Sequence, residues 1–70
     1  MEQHKLKVLK QATTLTAFAE SVGISNYYLS RLLHGKRSAH QPTAELLAIK
    51  ANQITKSKIY TAEDFQQEKP

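Results

Sequence analysis

The stretch from Leu15 to His34 constrains the fold most, because its apolar residues follow helical spacing that is broken once, at Gly23. At about 100° of rotation per residue, one apolar set before Gly23 falls on a single side of a helix. That set is Leu15, Phe18, Ala19 and Val22. Gly23 can adopt the positive φ of a tight bend, and the small Ala19 lets a second helix cross closely. The stretch predicts two packed helices, at 15–22 and 26–34.

The second of these helices has two unlike faces. With Tyr27 as the origin, a polar set lies within roughly 60° of it and the leucines lie opposite. The polar set is Tyr27, Ser30, Arg31 and His34, and the leucines are Leu29, Leu32 and Leu33. Tyr28 borders the apolar arc, so packing is its expected role. Ser25 or Asn26 can cap the helix start, and Gly35 is typical of a helix end. We expect the polar face to project into solvent.

The flanking segments complete an all-α, single-domain prediction over residues 1–65, with four to five helices and a flexible tail at 66–70. A first helix at 2–12 points Leu6 and Leu9 inward and leaves Lys5, Lys7 and Lys10 in water. Pro42 opens a fourth helix at about 43–53. The residues expected on the apolar face of that helix are Leu46, Leu47 and Ile49.

A short final turn is predicted at 61–65. Thr61 to Asp64 resembles a capping box, with aspartate in place of the usual glutamate. Tyr60 and Phe65 have two open interpretations, packing on the core or forming part of a dimer interface. Ile59 and Tyr60 are also compatible with a short extended piece.

Composition limits the chemistry available to a chain of 70 residues. A domain of this size buries about 60% of its unfolded surface, which leaves little room for a deep cleft. Cysteine is absent, and His4, His34 and His40 lack the spacing of paired metal ligands. Glycine-rich phosphate loops are missing, and no serine, histidine and acid are arranged as a nucleophile with its base. We therefore expect neither an enzyme nor a cofactor or metal.

The charge balance favours a polyanionic partner. Ten Lys and Arg against six Asp and Glu give a net charge of +4, and the isoelectric point is about 9.6. No apolar run approaches the roughly 20 residues that span a bilayer. The opening residues lack the apolar core of a signal peptide, which predicts a cytoplasmic protein without membrane contact.

Two places are suited to binding phosphate. The helix start from Thr14 to Thr16 offers free amides and a partial positive charge, although Thr14 is also a plain N-cap. Lys36 and Arg37 follow the second helix directly, where they can clamp a phosphate backbone beside that helix. The alternative is that this pair is ordinary surface charge.

The run from Thr14 to Ser25, followed by Leu29 and Leu32, resembles the helix-turn-helix of the lambda-repressor-like class. It is most similar to small Cro-like phage proteins and YdaS-like prophage regulators and antitoxins. The similarity continues through Pro42, a fourth helix at 44–51 and the step from Thr61 to Phe65, and so covers roughly residues 6–65.

This resemblance implies that helix 26–34 enters the major groove of double-stranded DNA as a recognition helix. Asparagine can pair with adenine, arginine with guanine, and serine with either, while a tyrosine ring can contact a thymine methyl group. The positions that match the family's base-facing positions are Ser25, Asn26, Tyr27, Ser30, Arg31 and His34. The implied function is a Cro-like repressor acting as a homodimer. The alternative is an antitoxin or adaptor that binds a protein through the same face.

Overall fold

The computed structural model describes residues 1–66 and contains four α-helices and one 3₁₀ helix, with no strand in that range. Its elements are α1 (Gln3–Ala12), α2 (Leu15–Val22), α3 (Asn26–Leu33), α4 (Gln41–Thr55) and the 3₁₀ helix (Ala62–Phe65). The all-α prediction is therefore confirmed for the described residues, and Ile59 and Tyr60 form neither a helix nor a strand. Residues 67–70 of the predicted tail lie outside the described part.

The core lies between α4 and the elements packed around it. The 3₁₀ helix, α1 and α2 contact α4, while α3 packs on α2 and on the 3₁₀ helix. Each helix contributes large side chains that are almost fully buried. These are Phe18, Phe65, Leu9, Leu29, Leu32, Leu33 and Leu47. The core thus fixes the inner faces of α2 and α3.

Local hydrogen bonds set the start of α2 and of α3 as predicted. The Thr14 hydroxyl accepts from the Ala17 amide at 3.1 Å, and the Ser25 hydroxyl accepts from the Tyr28 amide at 3.1 Å. Gly23 has a φ of 83°, which a residue with a side chain adopts at a cost. A methyl group at Gly23 would meet no atom within 4 Å, so backbone conformation rather than space requires glycine there.

The end of α3 forms a Schellman motif around Gly35, which has a φ of 71°. The Lys36 amide donates to the Arg31 carbonyl at 2.8 Å, and the Gly35 amide donates to the Leu32 carbonyl at 3.3 Å. The motif makes His34 the C-cap, so α3 ends one residue earlier than predicted. It also fixes the direction in which the chain leaves α3.

The prediction for α4 is wrong in two respects. The helix extends from Gln41 to Thr55, beyond the predicted 43–53 at both ends. Its buried face is Ala44, Leu47, Ala48 and Ala51, whereas Leu46 and Ile49 are 41% and 54% exposed. Alanine side chains are small, so the alanine-rich face lets α4 pack closely against its neighbours. That face is therefore the buried one, and the larger Leu46 and Ile49 lie outside.

Long-range contacts fix the segment after α4. The Asn52 side chain donates to the Tyr60 carbonyl and accepts from the Tyr60 amide, both at 3.0 Å. The Tyr60 hydroxyl donates to the Lys5 carbonyl at 2.6 Å. Tyr60 and Phe65 are both buried. Of the two interpretations left open for these aromatic residues, the core is the one observed.

The prediction that Lys5 lies in water is wrong, because its ammonium group forms an ion pair with the buried Asp64 at 3.0 Å. Asp64 also completes the predicted capping box by accepting from the Thr61 amide at 2.9 Å. A buried carboxylate needs such partners, because an unpaired charge loses its hydration at a large cost. Gln66, assigned to the tail from sequence, donates to the Ala39 carbonyl at 3.3 Å.

Candidate nucleic-acid interface

The outer face of α3 carries the polar row expected from its periodicity, and two of its four residues are exposed. Tyr27 is 72% exposed, His34 is also exposed, and Ser30 and Arg31 are half-buried. The opposite face is fully engaged, since its three leucines are each at most 1% exposed. The helix is therefore anchored on one side and presents hydrogen-bonding groups on the other.

Arg31 and Tyr27 form a pair on this outer face. The Arg31 Nη1 donates to the Tyr27 hydroxyl at 3.2 Å, and the guanidinium carbon lies 5.5 Å from the ring centroid. The two residues are one helical turn apart, so the contact is compatible with the helix geometry. Tyr27 restricts the guanidinium group while using only one of its five N–H donors.

Ser30 and His34 form a second pair, also one turn apart. The His34 Nδ1 lies 2.8 Å from the Ser30 carbonyl oxygen and 3.4 Å from its hydroxyl. A carbonyl oxygen only accepts hydrogen bonds, so Nδ1 carries the proton in this contact. In the neutral ring, Nε2 is then an acceptor, suited to a donor such as the amino group of adenine or cytosine.

The remaining two predicted base-reading residues lie at the turn and already have partners. The Asn26 side chain donates to the Thr16 hydroxyl at 2.9 Å, and the Ser25 hydroxyl is the N-cap acceptor of α3. The Asn26 contact ties the first turn of α3 to the first turn of α2. A bidentate contact of Asn26 with adenine therefore requires its amide to leave Thr16.

The four predicted phosphate-contacting residues fall into two groups. Thr14 and Thr16 are exposed at the start of α2, with Thr14 serving as the N-cap and Thr16 bonded to Asn26. Lys36 and Arg37 are exposed directly after α3. The Asn26 to Thr16 hydrogen bond directly links the first group to α3, and the Schellman motif links the second.

The contact of Arg37 with the Tyr28 ring is not predicted from the sequence. The Arg37 guanidinium carbon lies 5.4 Å from the centroid of the Tyr28 ring, within the range of a cation–π contact. Tyr28 is itself half-buried against the core, as predicted. Helical periodicity does not find this pair, because Arg37 lies beyond the end of α3. The contact restricts a long side chain that is otherwise solvated.

Other features of residues 1–66 give little support to a different site. A shallow cavity of about 320 Å³ lies along α1, lined by Gln3, Leu6, Lys7, Lys10 and Gln11. No group of three His, Asp or Glu side chains in this range is placed to hold a metal ion. None of the helices in the same range has the length and apolar character needed to cross a membrane.

Comparisons with known protein families, with curated proteins and with solved structures find no match for this chain. The functional interpretation therefore depends on the residues and their geometry.

Proposed function

We propose that this chain is a sequence-specific double-stranded DNA-binding regulator that inserts α3 into the major groove. The observation that carries the proposal is the two-sided character of α3. Its leucine face is buried in the core, while its outer face presents Tyr27, Ser30, Arg31 and His34 next to two exposed cations. A rigidly anchored helix with a polar outer face is the element that reads base edges in many DNA-binding proteins.

The dimensions of α3 fit this role. An α-helix with its side chains is about 10–12 Å across, and the major groove is about 12 Å wide. The 8 residues of α3 correspond to a length of about 12 Å along the groove. One such helix spans only a few base pairs. Specific binding is thus expected from a two-fold dimer that places two copies of α3 about 34 Å apart on one side of the duplex.

Arg31 is assigned the central role in base reading. Its guanidinium group can donate two hydrogen bonds to O6 and N7 of guanine, and the contact with Tyr27 reduces the number of conformations lost on binding. Tyr27 itself offers a ring edge to a thymine methyl group. Ser30 and His34, one turn further on, extend the contact along the same face, and Ser25 and Asn26 contribute from the turn.

Phosphate contacts position the helix in the groove. Lys36 and Arg37 flank the end of α3, while the amide groups at the start of α2, from Thr14 to Thr16, offer a second anchor. Both groups are exposed in the described part of the chain. The net charge of +4 adds a long-range attraction for DNA. By its resemblance to Cro-like proteins, the chain is assigned the role of a cytoplasmic repressor that occupies an operator.

A second candidate function is an antitoxin or adaptor that binds a protein through the same face. The observation that favours it is the exposure of Tyr27 beside Arg31, since tyrosine and arginine are enriched at the centres of protein interfaces. The two candidates differ in salt dependence. Phosphate contacts release counterions, so DNA affinity falls steeply as salt rises, whereas a Tyr27-centred protein interface depends less on salt.

The decisive experiment is selection of bound duplexes from a random pool, followed by a salt titration with the selected duplex. We expect a two-fold symmetric site and a steep loss of affinity between about 50 mM and 200 mM salt. The double variant Lys36→Ala/Arg37→Ala is expected to reduce the salt slope. The control Lys7→Ala/Lys58→Ala removes the same charge from exposed positions outside α3. No enrichment of any duplex would reject the proposal.

A further inference from the structure

Helix α4 has a second apolar face that nothing in residues 1–66 covers. Its alanine-rich face packs into the core, yet Leu46 and Ile49 are 41% and 54% exposed on the opposite side. The two lie one turn apart on the same side of the helix, flanked along that side by the exposed Pro42 and Gln53. Single exposed apolar residues are common on protein surfaces, but two adjacent large ones form a patch.

The charges beside this patch are arranged asymmetrically. At 100° per residue, Glu45 lies on one flank of the Leu46 and Ile49 face and Lys50 lies on the other. In heptad terms, Leu46 and Ile49 occupy the a and d positions, and Glu45 and Lys50 occupy the g and e positions. This is the pattern in which apolar residues form a seam and the flanking charges form pairs across it.

We propose that a second copy of this chain covers the patch, with the two α4 helices parallel across a two-fold axis. In that arrangement the g flank of each helix faces the e flank of its partner, so Glu45 of one copy meets Lys50 of the other, twice by symmetry. An antiparallel pair brings like flanks together and places the two glutamates on one side and the two lysines on the other. Charge complementarity thus selects the parallel arrangement.

The size of the patch sets the strength of the dimer. A helix of 15 residues is about 22 Å long, and only two large apolar side chains lie on its outer face. Stable interfaces bury about 1,600 Å², which exceeds what one short helix face supplies. The dimer is therefore weak, with a Kd of roughly 10–100 μM, and it forms without DNA. This inference does not depend on the proposed DNA binding.

Sedimentation equilibrium of the full chain without DNA tests the proposal, over a range of about 10 μM to 1 mM protein. The average mass is expected to rise from 7.9 kDa toward twice that value. The variant Leu46→Ser/Ile49→Ser is expected to raise the Kd at least about tenfold. The control Ile59→Ser removes another exposed isoleucine and leaves the Kd unchanged. Circular dichroism checks that each variant is folded.

A charge-exchange experiment tests the parallel orientation. In the parallel pair, Glu45→Lys and Lys50→Glu chains each place like charges across the seam, so each associates with itself about fivefold more weakly than the native chain does. An antiparallel pair already places like charges together in the native chain, so in that arrangement the same variants would self-associate as strongly as the native chain. Mixed together, the two variants form two opposite-charge pairs and prefer the heterodimer, which checks that positions 45 and 50 lie at the seam. The control Glu20→Lys makes the same charge change on α2 and leaves association unaltered.

Two outcomes overturn the proposal. One is a monomer at about 1 mM, which leaves the α4 patch to a different partner. The other is a pair of charge variants that self-associate as strongly as the native chain, which removes the parallel arrangement. Because DNA is absent from both measurements, neither outcome bears on whether α3 binds DNA.

Discussion

The α2–α3 pair and the C-terminal segment from Ser57 to Gln66 are held in place by opposite means. The caps of α2 and α3 join atoms three residues apart, and the glycine turns close within a few residues. The C-terminal segment depends on the ion pair of Lys5 with Asp64, 59 positions apart, and on the bond from Tyr60 to Lys5, 55 positions apart.

This difference separates the polar groups of the molecule into two kinds. The Tyr60 hydroxyl and the Asp64 carboxylate of the C-terminal segment are buried and fasten it to Lys5 of α1, so their loss affects folding. Among the described residues, the side chains on the outer face of α3 form hydrogen bonds within that face. These side chains are therefore available to bind a partner, and we expect their substitution to leave the core intact.

The substitution with the largest expected effect on stability is Phe65→Ala, in the C-terminal segment. Phe65 is fully buried, and truncation of a buried phenylalanine costs about 3–5 kcal/mol. A domain of this size has a stability of roughly 4–10 kcal/mol, so the variant is expected to be close to unfolding. Urea denaturation followed by circular dichroism measures the loss.

The matched control for Phe65 is Tyr27→Ala on the outer face of α3. Tyr27 is 72% exposed, so we expect its free energy of unfolding to change by no more than about 0.5 kcal/mol. Equal losses for the two aromatic substitutions would contradict the separation into a structural segment and a recognition face.

Arg31→Ala tests the outer face of α3, where we expect a substitution to reduce DNA binding rather than stability. We expect a loss of about 1–3 kcal/mol in affinity for the selected duplex and relaxed preference at one base pair. Thermal unfolding is expected to be nearly unchanged, since the hydrogen bond that the Arg31 side chain forms within the described residues is with the exposed Tyr27. Affinities measured over a series of duplexes with single base changes give both quantities.

Lys36→Ala is the comparison for Arg31, because a phosphate contact carries no sequence information. It is expected to weaken all duplexes alike and to reduce the salt slope by about one. If both variants weaken every duplex uniformly, Arg31 contacts phosphate rather than a base, and the assignment of base reading to this residue is wrong.

The same contrast explains what could be predicted from sequence. Helix α2 has the predicted bounds, and the exposed row on α3 follows from periodicity, because both depend on contacts within a few residues. The prediction of the buried face of α4 is wrong because this helix is apolar on two sides. Which side is buried is decided by α1, α2 and the 3₁₀ helix, whose positions the α4 sequence does not contain.

Three other contacts could not be predicted from the sequence for the same reason. The hydrogen bond of Asn26 with Thr16 depends on how α2 and α3 cross. The contact of Arg37 with Tyr28 depends on the path of the chain after Gly35. Lys5 looked like a solvated lysine because its partner, Asp64, lies at the other end of the chain.

The next prediction concerns pH and Tyr60, which anchors the C-terminal segment. Burial, together with repulsion from the Asp64 carboxylate, raises the pKa of the Tyr60 hydroxyl above its ordinary value of 10.0. The unfolded chain therefore releases this proton at lower pH than the folded chain. By linkage, the stabilising contribution of Tyr60 is complete below about pH 10 and declines as pH rises above that value.

The control for the pH effect is Tyr60→Phe, which lacks the titrating group. At neutral pH it is expected to be less stable by about 1 kcal/mol, because the hydrogen bond to the Lys5 carbonyl is lost. The free energy of unfolding of both proteins is measured by urea denaturation from about pH 8 to about pH 11. The difference between them should shrink above pH 10, since only the protein that carries Tyr60 loses the stabilisation due to the protonated hydroxyl. A difference that stays constant would contradict the assignment, because lysine titration is common to both proteins.

The smallest expected effect comes from the helix ends, where the two regions also differ. The turns that follow α2 and α3 contain glycines, Gly23 and Gly35, with φ of 83° and 71°, whereas the C-cap of α4 is Lys56 with a φ of 55°. A lysine in this left-handed conformation is strained, so Lys56→Gly is expected to stabilise the protein by about 0.5–1 kcal/mol, after the added freedom of glycine in the unfolded chain is subtracted. The corresponding rise in Tm is about 2–8 °C.

Lys58→Gly is the control for this variant. It removes the same charge two residues later, at a position without positive φ, and is expected to lower the Tm slightly. Equal shifts for the two variants would mean that loss of charge, rather than relief of backbone strain, accounts for the change.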